Sequence, residues 1–209
     1  MKAIKLSHRS VLTLALLAAP ALPLAAHADA LLDSGVPPST TGLQLALDGN
    51  DYFAAEFNLA AGQTINTVNA YLLAGLDAPG DTFTIALYAG GDLTSRNPTQ
   101  LYAAQATYTA DGWNGLTNLG WTPGAAGLYW VAFEVGASDS AIGLSAPTPA
   151  TAGTVPAVAY AFNAGSGYQT AGATSFGVQV NPVPLPATAW LALSGVVGLL
   201  GLSRRRVAV

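Results

Sequence analysis

The chain has 209 residues, a formal charge of −4 and an apolar fraction of 51%, enough for one folded domain plus segments that meet a membrane. It has no cysteine, and its two histidines, His8 and His27, both lie near the N-terminus. A domain that begins after them has neither imidazole nor thiol, which excludes Ser-His-Asp and Cys-His nucleophiles, the usual zinc ligand sets and disulfide bonds.

Residues 1–28 read as a signal peptide. Lys2, Lys5 and Arg9 make a positive start, Val11 to Ala19 an apolar run, and Ala26 and Ala28 supply small residues at the −3 and −1 positions of a cleavage site. The apolar run is shorter than the roughly 20 residues a spanning helix needs. Cleavage after Ala28, or two residues later after Ala30, engages the secretion translocon and signal peptidase as partners. The domain that follows, residues 29–182, then holds Arg96 as its one cation against eleven acids, a formal charge of −10. Such a surface argues against a nucleic-acid or anionic-lipid partner bound through a basic face.

Within that domain, hydrophobicity alternates with period two, the pattern of half-buried strands. Phe53, Ala55, Phe57 and Leu59 alternate with Tyr52, Ala54, Glu56 and Asn58. A second strand is predicted near residues 65–73, and a third where Phe83, Ile85 and Leu87 alternate with Thr82, Thr84 and Ala86. Residues 101–109 and 113–121 follow, then Tyr129, Val131, Phe133 and Val135 against Trp130, Ala132 and Glu134. After a predicted surface excursion over 136–154 come residues 155–162, one hairpin, and Phe176, Val178 and Val180. Turn chemistry at Ala61-Gly62, Ala89-Gly90-Gly91-Asp92, Asp111-Gly112 and Pro123-Gly124 separates these segments. No stretch carries an amphipathic-helix pattern, and no internal repeat is evident. About eight short strands with turn-rich gaps predict an all-β, antiparallel β-sandwich of jelly-roll type.

Carboxylates are the strong acid-base groups that remain, and no catalytic residue is assigned. Glu56 and Glu134 sit on outward strand faces. They would suit a glycoside hydrolase only if they converged to roughly 5–9 Å. Asp48, Asn50 and Asp51 form an oxygen-rich turn, with Asp77, Asp81 and Asp92 in neighbouring loops. These are candidate ligands for a structural calcium, and also Asp in its favoured turn positions. Trp113, Trp121 and Trp130, with Tyr102 and Tyr108, are candidates for a stacking platform under sugar rings, though such side chains also fill cores. Trp130 and Glu134 alternate to the same outward face, setting an aromatic beside an acceptor.

The C-terminal segment 183–209 has three parts. Val183, Pro184, Leu185, Pro186 and Ala187 form a stretch whose prolines lack amide hydrogens and favour extended geometry. Residues 187–202 are all apolar or small, about 24 Å of helix at 1.5 Å per residue, which predicts a short transmembrane helix with local bilayer thinning. Arg204, Arg205 and Arg206 then form a membrane stop that leaves the C-terminus in the cytoplasm and the domain outside.

This order of extended Pro-rich motif, short Gly-containing helix and Arg cluster resembles the PEP-CTERM sorting signal, in its VPLPA variant; Leu185 stands where many members carry Glu. The resemblance implies an exosortase as partner, Val183 to Ala187 as the recognised substrate motif, and passage through an inner-membrane intermediate to the cell surface or extracellular matrix of a Gram-negative bacterium that makes exopolysaccharide. A plain C-terminal anchor is the simpler alternative. The segments Phe83 to Tyr88, Leu128 to Glu134 and Phe176 to Val180 are also similar, more loosely, to the choice-of-anchor β-sandwich domains found ahead of such tails, which implies a fold and no activity. The expected function is therefore that of a non-enzymatic surface or matrix protein associated with exopolysaccharide or biofilm, with a carbohydrate-binding module as the alternative and a carboxylate-dependent hydrolase behind it. No cofactor is expected apart from the calcium.

Overall fold

Alternating side chains bury one face of each segment, and the segments accordingly form strands; no helix occurs among the described residues. A computed structural model describes residues 29–91, 93–94, 98–151, 153–172 and 174–183. The signal peptide with Ala26 and Ala28, Asp92, Arg96, the motif residues Pro184, Leu185, Pro186 and Ala187, the apolar segment 187–202 and Arg204, Arg205 and Arg206 lie outside the described residues.

The strands in chain order are β1 (Leu32–Asp33), β2 (Gln44–Leu47), β3 (Asp51–Leu59), β4 (Ile65–Leu72), β5 (Thr82–Ala89), β6 (Gln100–Thr107), β7 (Gly112–Trp121), β8 (Gly127–Glu134), β9 (Leu144–Pro147), β10 (Ala159–Ala164), β11 (Tyr168–Thr170) and β12 (Val178–Pro182). They build a four-stranded sheet in the order β1-β12-β4-β7, a six-stranded sheet in the order β11-β10-β3-β8-β5-β6, and a β2-β9 ribbon. Every pairing is antiparallel.

The two larger sheets form a β-sandwich. Phe53, Phe57, Phe83, Ile85, Leu87, Val131 and Phe133 point inward from the six-stranded sheet, and Leu32, Val68, Leu72, Val178 and Val180 from the four-stranded one, into a single cluster. Phe176, just ahead of β12, stands at its centre. Its ring centroid lies 4.7 Å from Phe53, 5.2 Å from Tyr160 and 6.4 Å from Phe133, with all three pairs edge-to-face, the arrangement favoured by the ring quadrupoles. The buried Ser34 hydroxyl joins the two ends of the domain. It donates to Phe176 O at 2.7 Å and accepts the Val178 amide at 2.7 Å.

The expected excursion over 136–154 is corrected here. Leu144 to Pro147 form β9, buried along its whole length and paired with β2 from Gln44↔Pro147 to Leu47↔Leu144. Leu144 and Ala146 enter the main core, while Ser145 bridges back to Leu73. Small residues here fill a narrow space beside the sheets, so a composition typical of loops serves as core. The expected hairpin is β10-β11.

Phe176→Ala should destabilise the domain by about 3–5 kcal/mol, the usual cost of truncating a buried Phe. Leu128→Ala, at a position 41% exposed, should change it by no more than about 0.5 kcal/mol. Urea unfolding followed by tryptophan fluorescence separates the two outcomes.

Candidate functional site

On the six-stranded sheet, period two sends Tyr52, Ala54 and Glu56 of β3, Thr84, Ala86 and Tyr88 of β5, and Trp130, Ala132 and Glu134 of β8 away from the main core. The register aligns Ala161, Ala54, Ala132, Ala86 and Ala103 in one row across five strands. The row to one side carries Glu56, Trp130 and Tyr88. On the other side lie Asn163 with Tyr52, and Glu134 with Thr84 and Gln105. A floor of methyl groups thus runs between two banks of larger side chains.

That floor is covered. Ala54, Ala86, Ala132 and Ala161 are fully buried in a second cluster with Tyr88, Trp130 and Leu93, against which Tyr168 packs. Tyr88 crosses the alanine row to donate its hydroxyl to Glu134 Oε1 at 2.9 Å. Tyr168 arrives from β11 and donates to the same oxygen at 2.5 Å, with its ring 6.4 Å from that of Tyr88. The β5-β6 connection covers the other side: a Cβ on Gly90 would lie 1.6 Å from Leu128 O, so only glycine lets the chain pass this close to β8. One residue on, Gly91 O accepts the Trp130 indole N–H at 3.1 Å.

Burial, reinforced by the Glu134 charge and the hydrogen bond to it, pushes the Tyr88 and Tyr168 hydroxyls well above the ordinary tyrosine range. Burial, then Glu134 and then Asp48, raise Tyr52 as well. Burial alone raises the carboxyl of Glu56, which is 7% exposed. Chemically the face is a carboxylate whose Oε1 accepts from two phenols, with a second carboxyl biased toward its neutral form beside an indole.

The residues singled out from the sequence are not assembled as expected. Glu56 pairs with Trp130 across the strands, and Glu134 lies four residues farther along β8, about 13 Å at 3.3 Å per residue. Their backbones are thus separated by the alanine row, and Glu134 Oε1 is taken up by the Tyr88 and Tyr168 hydroxyls. The platform of three tryptophans is corrected too, since Trp113, Trp121 and Trp130 occupy three different faces. Trp113 lies on the outside of the four-stranded sheet, edge-on to Tyr71 at 5.6 Å. Trp121 turns to the main core and packs on Tyr129 at 5.7 Å. Trp130 does share an outward face with Glu134, but it is 5% exposed, because a strand face pointing away from one core is here roofed by another. Tyr102 packs against the main core, and Tyr108 is buried with its hydroxyl on Asp111 Oδ1 at 2.6 Å.

Asp48 accepts the Asn50 and Asp51 amides on Oδ1 at 2.7 and 3.0 Å, the ordinary work of Asp in a turn. Asp77 accepts from Ile142 and Gly143, and Asp81 from Ala78 and Ser140. Among the described residues no group of three or more His, Cys, Asp or Glu side chains is arranged to hold a metal ion.

Glu134→Ala should leave two largely desolvated hydroxyls without an acceptor and cost about 2–4 kcal/mol, whereas Glu134→Gln keeps an acceptor oxygen and costs less. The folded pKa values of Tyr88 and Tyr168 exceed the ordinary 10.0, so the stability they contribute is complete below that pH and is lost as pH rises through the folded values. Phenolate absorbance should therefore record these two ionising only as the domain unfolds, after the exposed tyrosines.

A scan against models of known protein families finds no match for this chain, and a search of the curated proteins finds none either.

Proposed function

We propose that this is an exported, non-enzymatic surface or matrix protein, in which a β-sandwich is carried to the cell envelope by a PEP-CTERM-like tail processed by an exosortase. The observation that carries the reading is the order of the tail: Val183-Pro184-Leu185-Pro186-Ala187, an uninterrupted apolar stretch to residue 202, and Arg204-Arg205-Arg206. An extended peptide suits a protease groove, and the apolar stretch with its basic stop suits a membrane intermediate.

The limits of the folded domain support the same reading. β12 ends at Pro182, and the last backbone bond of the domain runs from the Val183 amide to Thr64 O at 2.8 Å. At the other end, the Leu31 amide donates to Val180 O at 2.9 Å, two residues after the start left by cleavage behind Ala28. In sequence, both processing sites therefore lie at the margins of the hydrogen-bonded sheets, with Val183, the first motif residue, itself bonded to Thr64. The finer jelly-roll reading is supported by strand order, since β1-β12-β4-β7 facing β3-β8-β5-β6 is the interleaving of two nested Greek keys, with β10-β11 added at one edge. The domain's charge of −10 and its soluble, repelling surface suit a hydrated polysaccharide matrix as the setting.

Mass spectrometry of the protein recovered from cells that contain an exosortase should find an N-terminus at Asp29 or Leu31 and a C-terminus at the Pro-rich motif. Replacing Pro184 and Pro186 with Ala should abolish the second cut. A wild-type chain that ends intact at Val209 overturns the sorting assignment in favour of a plain anchor. The segment 29–183 expressed alone should unfold in one cooperative transition.

A further inference from the structure

Each large sheet has two edges, and three of the four are poor templates for another strand. β1 has two residues and β11 three, and β7 is broken by left-handed backbone at Asn118 (φ 60°) and Gly120 (φ 61°). The fourth edge, β6, is eight residues long and reads QLYAAQAT, with no charge, proline or glycine. A bulge at Leu101 marks its first end, and Tyr102 to Thr107 carry none of the other protections usual for an edge strand, Lys, Pro or a covering strand.

The alternation of its amides can be read from one bond. Tyr108, directly after β6, donates its amide to Asp81 O at 2.7 Å on the β5 side. Counting back in twos, Ala106, Ala104 and Tyr102 also turn their amides to β5, and Ala103, Gln105 and Thr107 turn theirs outward; the count stops at Tyr102, because a register shift between Leu87 and Tyr88 places Leu101 in a bulge. These three residues are all exposed, and no described strand pairs with that side.

Charge singles out the same edge. From residue 97 to residue 133 the only charged side chain is Asp111, whose carboxylate accepts the Ala74 amide and the Tyr108 hydroxyl. Asp139 approaches β6 only through the Gln105 amide. Next to the start of β6, an open groove of about 600 Å³ is lined by Gly91, Leu101, Ala125 and Leu128 among others, without a charged residue. In a domain of charge −10, two copies repel wherever acids oppose each other, and β6 is where they meet without that cost.

We propose that β6 is a self-association edge, at which two copies of this chain pair their β6 strands antiparallel about a two-fold axis through Ala104. In that register Ala103 faces Gln105 of the second copy and Gln105 faces Ala103, within the regular part of the strand. The outward amides of Ala103 and Gln105 on each copy are satisfied, with about four main-chain hydrogen bonds at two per bonded pair, in one continuous sheet with six strands from each copy. A two-fold axis makes the contact isologous and closed, so it stops at the dimer.

Because the chain has no cysteine, Ala104→Cys in the full-length protein introduces its only thiol. The two copies of residue 104 would form a non-hydrogen-bonded pair with Cα atoms about 4.5 Å apart, inside the range a disulfide spans. Mild oxidation should give a disulfide-linked dimer as the main species on a non-reducing gel, while Thr170→Cys, at the exposed opposite edge, should remain monomeric. Adding Ala103→Pro, which deletes one outward amide but none of the bonds to β5, or Ala103→Lys, which opposes like charges, should abolish the dimer band, with unchanged circular dichroism showing that the fold is retained. The proposal is overturned if Ala104→Cys cross-links no better than Thr170→Cys, or if its dimer survives both second substitutions.

Discussion

The constraint on which this domain depends is the near absence of cations. With Arg96 as its single basic side chain, the acids cannot be neutralised in pairs, and they bond instead to amides and hydroxyls. Asp33 accepts from Gly35 and Thr154, Asp48 from Asn50 and Asp51, Asp77 from Ile142 and Gly143, and Asp139 from Gly136, Thr84 and Gln105. Each of these joins a loop to itself or to a neighbour. Charge-assisted bonds of this kind are stronger than neutral ones, and they give ordered connections to a chain with no disulfides. The backbone and hydroxyl donors on Asp81 and Asp111 hold both carboxyls below the ordinary range, so their share of the stability is present at neutral pH and fades only as pH falls through those lowered values.

The second determinant is that the centre of the six-stranded sheet is buried on both faces. Its inner face carries the large rings of Phe53, Phe57, Phe83 and Phe133, and its outer face carries the alanine row under Tyr88, Trp130, Leu93 and Tyr168. Small side chains at the strand centres leave room for the covering rings, with Tyr88 and Tyr168 packed edge to face. Glu134 then fixes two of those rings from one oxygen atom. Hydrogen bonding and packing reinforce each other here, since neither tyrosine hydroxyl could be removed from water without an acceptor in place.

Much of the architecture was legible in the sequence, because period two is a direct geometric consequence of the pleat. The alternation from Phe53 to Leu59 and from Tyr129 to Phe133 identifies β3 and β8 and the face each buries. Strands too short to show a period, such as β1 and β11, leave no such trace, and β9 is hidden by its Leu-Ser-Ala-Pro composition. Alternation also says which way a side chain points without saying what lies above it, so Trp130 and Glu56 read as solvated although both are covered. Three tryptophans near one another in sequence separate because β7 and β8 belong to different sheets, and because left-handed backbone at Asn118 and Gly120 lies between Trp113 and Trp121 and breaks the alternation of β7. One signal for the covered face was present: Ala54, Ala86 and Ala132 stand at the outward centres of three strands, where an exposed sheet would favour Thr or a charged residue.

The adjacency of β1 and β12, with Leu32 opposite Val180, bears on how the domain carries mechanical load. Tension applied at Val183 runs along β12, which is bonded to β1 on one side and β4 on the other. Bonds on both flanks are loaded together in shear and must break together, unlike those of a terminal hairpin, which open one at a time like a zipper. Resistance to such a force then depends on the rate of concerted rupture more than on equilibrium stability.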